Sequence, residues 1–287
     1  MTTPSLDHIV LLLPHTTLTS LPPWLTTAFT ILPGGRHTNG ATENKLILFA
    51  DGVYIELIAF VPTTPPAQRA ATRWGRRCEG EIVDWALTLL PSDSESTSPE
   101  EAFGEVRRRV GAAGAGVGYA TPIAGGRTTP DGVEVRWAVA VAEGAREGEV
   151  PFWCLDRTPR AWRVPFLREG VARHASGVVG VAGVEVGVGD VGRLETLGEV
   201  YAAVFGEDGE RSARGLSWEL PAPVEEPKVK RRFALWLRED EAGNEGALQV
   251  DDQVHITLSL FTTGESRKIS GLVAPGRSLE INLMSLV

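Results

Sequence analysis

At 287 residues, with 43% apolar and 23% charged residues, the chain is long enough to bury a sizeable core without disulfide staples. The net charge of -9 argues against a nucleic-acid partner, because phosphate binding needs a concentrated basic surface. Two cysteines, Cys78 and Cys154, are too few for a disulfide framework and fit a reducing compartment. No run approaches the roughly 20 apolar residues of a membrane span, so no membrane partner is expected. The residues after Met1 lack a basic n-region, so a cytoplasmic location is expected.

The first strand is expected over Leu6 to Leu13, with Leu6, His8, Val10 and Leu12 on one face and Asp7, Ile9 and Leu11 on the other. Pro22-Pro23 suits the first turn of a short helix whose apolar side is Trp24, Leu25 and Ala28. Thr30 to Leu32 reads as a second strand ended by Pro33-Gly34-Gly35. Lys45 to Ala50 and Val53 to Val61 then form a hairpin around Asp51-Gly52. The order is β-α-β-β-β over residues 5–62.

The same order recurs. Ile82 to Leu90 is a strand, and the Ser-rich acidic stretch 91–98 is a solvated loop. Ser98-Pro99-Glu100-Glu101 has the form of a capping box and opens a helix with Phe103, Val106 and Val110 at helical spacing. Strands follow near 119–124, 133–142 and 150–156. Pro33-Gly34-Gly35-Arg36 is echoed by Ala124-Gly125-Gly126-Arg127, which points to a duplicated unit with a period of about 80 residues.

Beyond a Pro/Arg-rich connector, Val178 to Val188 reads as a strand and Arg193 to Phe205 as a helix stopped by Gly206. Strands near 215–220, 232–238, 247–250, 253–261 and 278–285 follow. Lys228-Val229-Lys230-Arg231-Arg232, beside Glu225 and Glu226, reads as a solvated loop. The expected architecture is therefore α+β: paired βαβββ modules forming a cupped, barrel-like mixed sheet. Residues 1–160 hold two units (5–62 and 80–158), 161–177 a connector, and 178–287 a third, degenerate βαβββ-like unit.

Glu56 shares a strand face with Tyr54, Ile58 and Phe60, so burial is expected, and a buried carboxylate must be paired, protonated or metal-bound. His8 sits likewise among apolar residues. These side chains are ligand types for Zn, Fe, Mn or Ni. A His8–Glu56 hydrogen bond, or a pair between Glu56 and Arg36, would satisfy the carboxylate equally well.

Leu6-Asp7-His8-Ile9-Val10, Pro33-Gly34-Gly35-Arg36-His37, Asn44-Lys45-Leu46 and Tyr54-Ile55-Glu56-Leu57-Ile58 together resemble the glyoxalase-like domain of the vicinal-oxygen-chelate superfamily. Asp84-Trp85-Ala86-Leu87 and Arg127 to Gly132, with Trp137 and Pro151-Phe152, extend the likeness over residues 5–158. The resemblance implies two βαβββ units paired into a cup. In its metalloenzyme members the inward side chains of the first and fourth strands bind a divalent metal. Carried over, His8 and Glu56 are the ligand and catalytic positions, with His37 as a third ligand candidate. Trp85 stands where a second His would be expected, and Trp153 or Cys154 near the second carboxylate, which weakens the metal hypothesis.

Arg36, His37, Asn44, Trp85, Arg127, Trp137 and Trp153 are the candidate substrate-binding residues. Arg127, after a Gly-Gly turn, could grip an anion or pair with Asp131; the tryptophans could wall a planar ligand or fill the core. The resemblance leaves two functions open. One is a small-molecule isomerase, lyase or dioxygenase using a divalent metal and no organic cofactor. The other is a metal-free sequestration or resistance-type binding protein with the same pocket. Either accommodates a homodimer, and a scaffold role for the C-terminal third stays open beside them.

Overall fold

The computed structural model describes residues 3–90, 98–129, 131–224, 229–237 and 254–287. The expected strand at 247–250 and most of the acidic loop at 91–98 lie outside the described residues.

The first module runs β1 (Pro4–Leu12), α1 (His15–Thr19), α2 (Pro23–Ala28), β2 (Leu32–Arg36), β3 (Thr42–Leu48) and β4 (Tyr54–Phe60). A segment with one short helix, α3 (Pro66–Ala70), leads to the second module. That module is β5 (Glu81–Leu89), α4 (Pro99–Ala112), β6 (Gly118–Tyr119), β7 (Ile123–Thr128), β8 (Glu134–Ala140), β9 (Ala142–Glu143) and β10 (Phe152–Asp156). Ser98 caps α4 by accepting from the Glu101 backbone N–H, while the Glu101 carboxylate accepts from the Ser98 N–H, the reciprocal box its spacing predicts.

The two modules share one eight-stranded sheet, in the order β2-β3-β4-β1-β5-β10-β8-β7. Its outer strands nearly meet: Thr38 N–H donates to Gly126 O at 3.2 Å, and His37 and Arg127 form a bridge across the gap. The two Gly-Gly pairs lie at this seam, inside strands rather than in the turns the sequence suggested. A Cβ on Gly34 would stand 1.9 Å from Asn44 Oδ1, and one on Gly35, at φ 135°, 2.7 Å from Thr128 O. Packing against β3 therefore demands glycine at 34, and the close approach of the closing strand demands it at 35.

After α5 (Arg160–Arg163), a second sheet is built from β11 (Val178–Val188), α6 (Val191–Phe205), β12 (Glu210–Ser212), β13 (Gly215–Glu219) and β14 (Arg232–Leu237). β15 (His255–Thr262), β16 (Arg267–Ala274) and β17 (Arg277–Ser285) complete it, in the order β12-β13-β14-β11-β15-β17-β16. Residues 178–237 thus repeat the βαβββ order, and three further strands extend the sheet from β11. β16 escaped the sequence reading because its strand is polar and largely exposed at the sheet edge. Gly206 ends α6 in the left-handed conformation at φ 79°, as expected.

The outer face of the first sheet and one face of the second share a core. Ile9, Leu11, Ile55 and Leu57 join Val181, Val184, Leu258 and Leu260, with α4 and α6 adding Phe103, Leu197 and Tyr201. The basic run is not a free loop throughout: Arg231 is buried and its Nε donates to Asp51 Oδ2 at 3.3 Å. Asp51, in the hairpin turn after β3, also accepts from Val181 N–H at 2.8 Å and so ties the first sheet to β11.

Candidate functional site

The inner face of the first sheet encloses a cavity of about 250 Å³, room for roughly eight waters. β1 and β4 are parallel neighbours that set His8 beside Tyr54 and Val10 beside Glu56. β3 runs antiparallel to β4 and brings Asn44 to the same face. His8, His37, Asn44, Glu56, Arg127 and Trp137 all line the cavity.

Asp7 was expected on the opposite face, yet its Oδ1 is hydrogen-bonded to His8 Nδ1. The cause is a bulge: the β1–β5 register slips between Leu6 and His8, leaving Asp7 as the extra residue. Leu6 consequently joins the outer core with Ile9 and Leu11 instead of sharing the His8 face. Burial alone would raise the Asp7 pKa, but Arg160 and Arg163 hold the carboxyl well below the usual carboxylate range. Arg163 bridges Asp7 through both Nη atoms (2.9 and 2.8 Å), Asp156 through Nε (2.6 Å), and Tyr54 OH (2.9 Å). An ionised Asp7 can only accept, so His8 Nδ1 carries the proton and Nε2 faces the cavity. Tyr54 stacks on the His8 ring at 4.6 Å and fixes its plane.

His37 is held in a similar way: its Nδ1 is 2.7 Å from Thr42 Oγ1. Burial lowers its pKa below the ordinary 6.5, against the opposing pull of Glu56, so the imidazole is neutral near pH 7. His8 Nε2 lies 3.7 Å from Glu56 Oε2, and His37 Nε2 lies 3.6 Å from Glu56 Oε1. Both separations exceed hydrogen-bond length. Glu56 is instead satisfied by Asn44 Nδ2, which donates to Oε1 at 2.5 Å. The Arg36 pair is not made either.

The donor types of His8, His37 and Glu56 suit a divalent cation, although one ligand atom from each does not bring all three within 4.8 Å of one another. Two imidazoles have Nδ1 anchored and Nε2 aimed at a carboxylate, the orientation second-shell partners give to metal-ligating histidines. Metal–ligand bonds of about 2.0–2.2 Å put neighbouring ligand atoms roughly 3–3.5 Å apart, close to the gaps seen here. Asp7, His8 and Cys154 do bring ligand-type atoms within 4.8 Å of one another. That trio suits a metal poorly, since Asp7 is filled by two arginines and burial pushes the Cys154 thiol well up, keeping it protonated.

Three expected substrate-binding residues lie elsewhere. Arg36 is exposed and donates to Gly40 O at 3.0 and 2.7 Å through Nε and Nη2. Trp85 is in the shared core, stacked on Phe233 at 4.9 Å, and Trp153 packs on Phe103 at 5.2 Å. On β5, Ala86 rather than Trp85 is the partner of His8, and of the two residues expected near the second carboxylate position Cys154 faces the cavity, beside Phe152, while Trp153 does not. A slip of one residue exchanges the faces of a strand. Arg127 is not ion-paired with Asp131. Its guanidinium donates across the seam to Gly34 O and, at 3.1 Å, to Arg163 O.

Arg73, Trp74 and Arg163 line the cavity without having been foreseen. Arg73 and Trp74 sit in the segment between modules, where no periodicity marks them. The i,i+3 spacing of Arg160 and Arg163 in the Pro/Arg-rich connector was the available signal for the second pair.

Two βαβββ modules that nearly close one sheet around a cavity of mixed polar and apolar lining define a pocket for a small molecule. The sequence profile described as a glyoxalase-like domain matches residues 6–204. The chain belongs to that family. No curated protein matches the chain. A hypothetical protein from Staphylococcus aureus has a similar structure, with TM-score 0.64 and 15% identity, covering 99% of this chain and 100% of that one. A xylose isomerase-like TIM barrel/4-hydroxyphenylpyruvate dioxygenase fusion protein aligns at TM-score 0.49 and 11% identity over 91% of this chain and 37% of its own. A mutant of 4-hydroxymandelate synthase from Streptomyces coelicolor aligns at TM-score 0.44 and 12% identity, over 91% and 72% respectively. The family supports a small-molecule enzyme or binding role. Among the described residues no helix is long and apolar enough to cross a membrane.

Proposed function

We propose that the chain is a metal-dependent enzyme acting on a small organic substrate in the cavity, with His8, His37 and Glu56 as the metal ligands and Glu56 also as the proton carrier. The observation that carries this reading is the pair of Nε2 atoms facing separate oxygens of Glu56 at 3.7 and 3.6 Å, with each Nδ1 already engaged. A bound divalent ion such as Zn, Fe, Mn or Ni would polarise a substrate oxygen and favour isomerase, lyase or dioxygenase chemistry.

The chain's own residues prepare the rest. Asp7 and Thr42 fix the two ring orientations, and Asn44 holds one Glu56 oxygen while leaving Oε2 able to accept a proton. Phe152, Trp137 and Tyr54 exclude water from one side of the substrate.

Metal analysis of the purified chain and of His8→Ala, His37→Ala and Glu56→Gln tests the reading. One equivalent of a divalent transition metal is expected, lost from each variant while the fold persists. Folded protein without metal after reconstitution with each of the four ions would sink it in favour of a metal-free pocket protein.

A further inference from the structure

The segment between the two modules carries a charged group that the site described so far does not use. Arg73 and Trp74 both lean on Asp84: Arg73 Nε donates to Oδ2 at 2.5 Å, and Trp74 Nε1 donates to the same oxygen at 2.8 Å. Asp84 is wholly buried, and its Oδ1 accepts from the Trp85 N–H at 3.0 Å, so the carboxylate is an anchor rather than a ligand group. Among the described residues the Arg73 fork is engaged through Nε alone. Its terminal N–H groups, on a side chain 19% exposed, border the cavity.

Phe152 links this group to the His8 end. The Arg73 guanidinium lies 5.0 Å from the Phe152 ring centre, and Phe152 meets His8 edge-on at 5.3 Å. One aromatic ring therefore separates the two, so a single small ligand can reach both.

The arginines of the lining differ in what they have left to offer. Among the described residues the cavity is bordered by Arg73, Arg127 and Arg163. Asp84 stands behind Arg73, and Asp7 and Asp156 behind Arg163, so free donors rather than net charge set them apart. Arg163 gives its nitrogens to Asp7, Asp156 and Tyr54, and each terminal nitrogen of Arg127 already donates to a carbonyl oxygen, whereas those of Arg73 make no hydrogen bond among the described residues. Arg73 is left as the cation with donors to offer, and a guanidinium edge matches a carboxylate in geometry as well as charge. Trp137, Val139 and Phe152 supply an apolar wall between the two polar ends.

We propose that Arg73 is the carboxylate subsite of this cavity, and that the substrate is a small planar or aromatic carboxylate. Its acid group pairs with Arg73, and its reacting end lies at His8, His37 and Glu56. The substrate orientation rests on the function proposed above, whereas the subsite itself does not.

The test compares binding of 3-phenylpropionate and its neutral amide to the full chain by calorimetry, with metal content measured on the same samples. The acid is expected to bind at least tenfold more tightly than the amide. Arg73→Gln should abolish that preference, with amide binding and metal content unchanged. Arg73→Lys, which keeps the charge but not the fork, should retain part of it, and it serves if the glutamine variant does not fold. Equal binding of acid and amide, no binding of either, or a preference that survives Arg73→Gln overturns the subsite. Loss of the preference in protein that holds no metal would keep the subsite and remove the metal enzyme.

Discussion

The two large sheets run their strands in matching order over much of their width, yet they bury different chemistry. In the strands of the first, Asp7, His8, Asn44, Glu56, Asp84 and Arg127 are all buried, whereas among described strand residues of the second the buried polar side chain is Thr262. The first sheet almost closes at the β2–β7 seam, so its inner face becomes a cavity wall. Among the described residues the second has no strand in the place of β7, and its contribution is an apolar face laid against the outside of the first. One module pattern thus serves two ends: an enclosed polar pocket needs a closed sheet and a paired network of charges, while a support layer needs only alternation.

If the two sheets are halves of one core, the largest effect comes from their shared aromatic cluster. Phe233 touches Trp85 at 4.9 Å and Tyr201 at 4.3 Å. Phe233→Ala should cost about 4 kcal/mol and lower the melting of both halves together. Two separate calorimetric transitions would break the comparison.

Within the first sheet, Asp7→Asn should cost about 3 kcal/mol in urea denaturation, because it strands the charges of Arg160 and Arg163 on the buried side of His8. A change within a few tenths of a kcal/mol of wild type would show that the network is not sustaining the pocket. A smaller loss of about 1–2 kcal/mol is expected for Asp51→Asn, which weakens the link from the first hairpin to Val181 and Arg231. Proteolysis should then release the second sheet at lower denaturant than the first.

The smallest effect is in pH. Thr30 N–H donates to His174 Nδ1 at 3.1 Å, and His174 Nε2 lies 2.9 Å from Leu48 O, an arrangement that needs the neutral ring. Burial lowers its pKa from the ordinary 6.5. Above 6.5 the ring is neutral folded or unfolded and its contribution is complete. As pH falls below that value the unfolded chain binds a proton that the folded chain resists, and stability is lost. His174→Asn should flatten the denaturation midpoint between pH 8 and pH 5.5; an unchanged slope would assign that dependence to other groups.

Local rules in the sequence determined a good deal. Alternation placed His8 and Glu56 on inward faces, the capping box opened α4, and Gly206 closed α6, because each depends on neighbours a few residues away. The repeated Gly-Gly-Arg run was visible, but its purpose was not: Gly35 meets Thr128, and Arg127 reaches Gly34 O, only when strands some 90 residues apart approach across the seam. Tertiary structure also decided the bulge that turns Asp7 to His8, the register that sends Trp85 and Trp153 into the core, and the reach of Arg163 back to β1. The physical reason is common to all three. Strand periodicity is written in adjacent side chains, whereas register and bulges follow from which distant strand offers the better packed and better hydrogen-bonded partner.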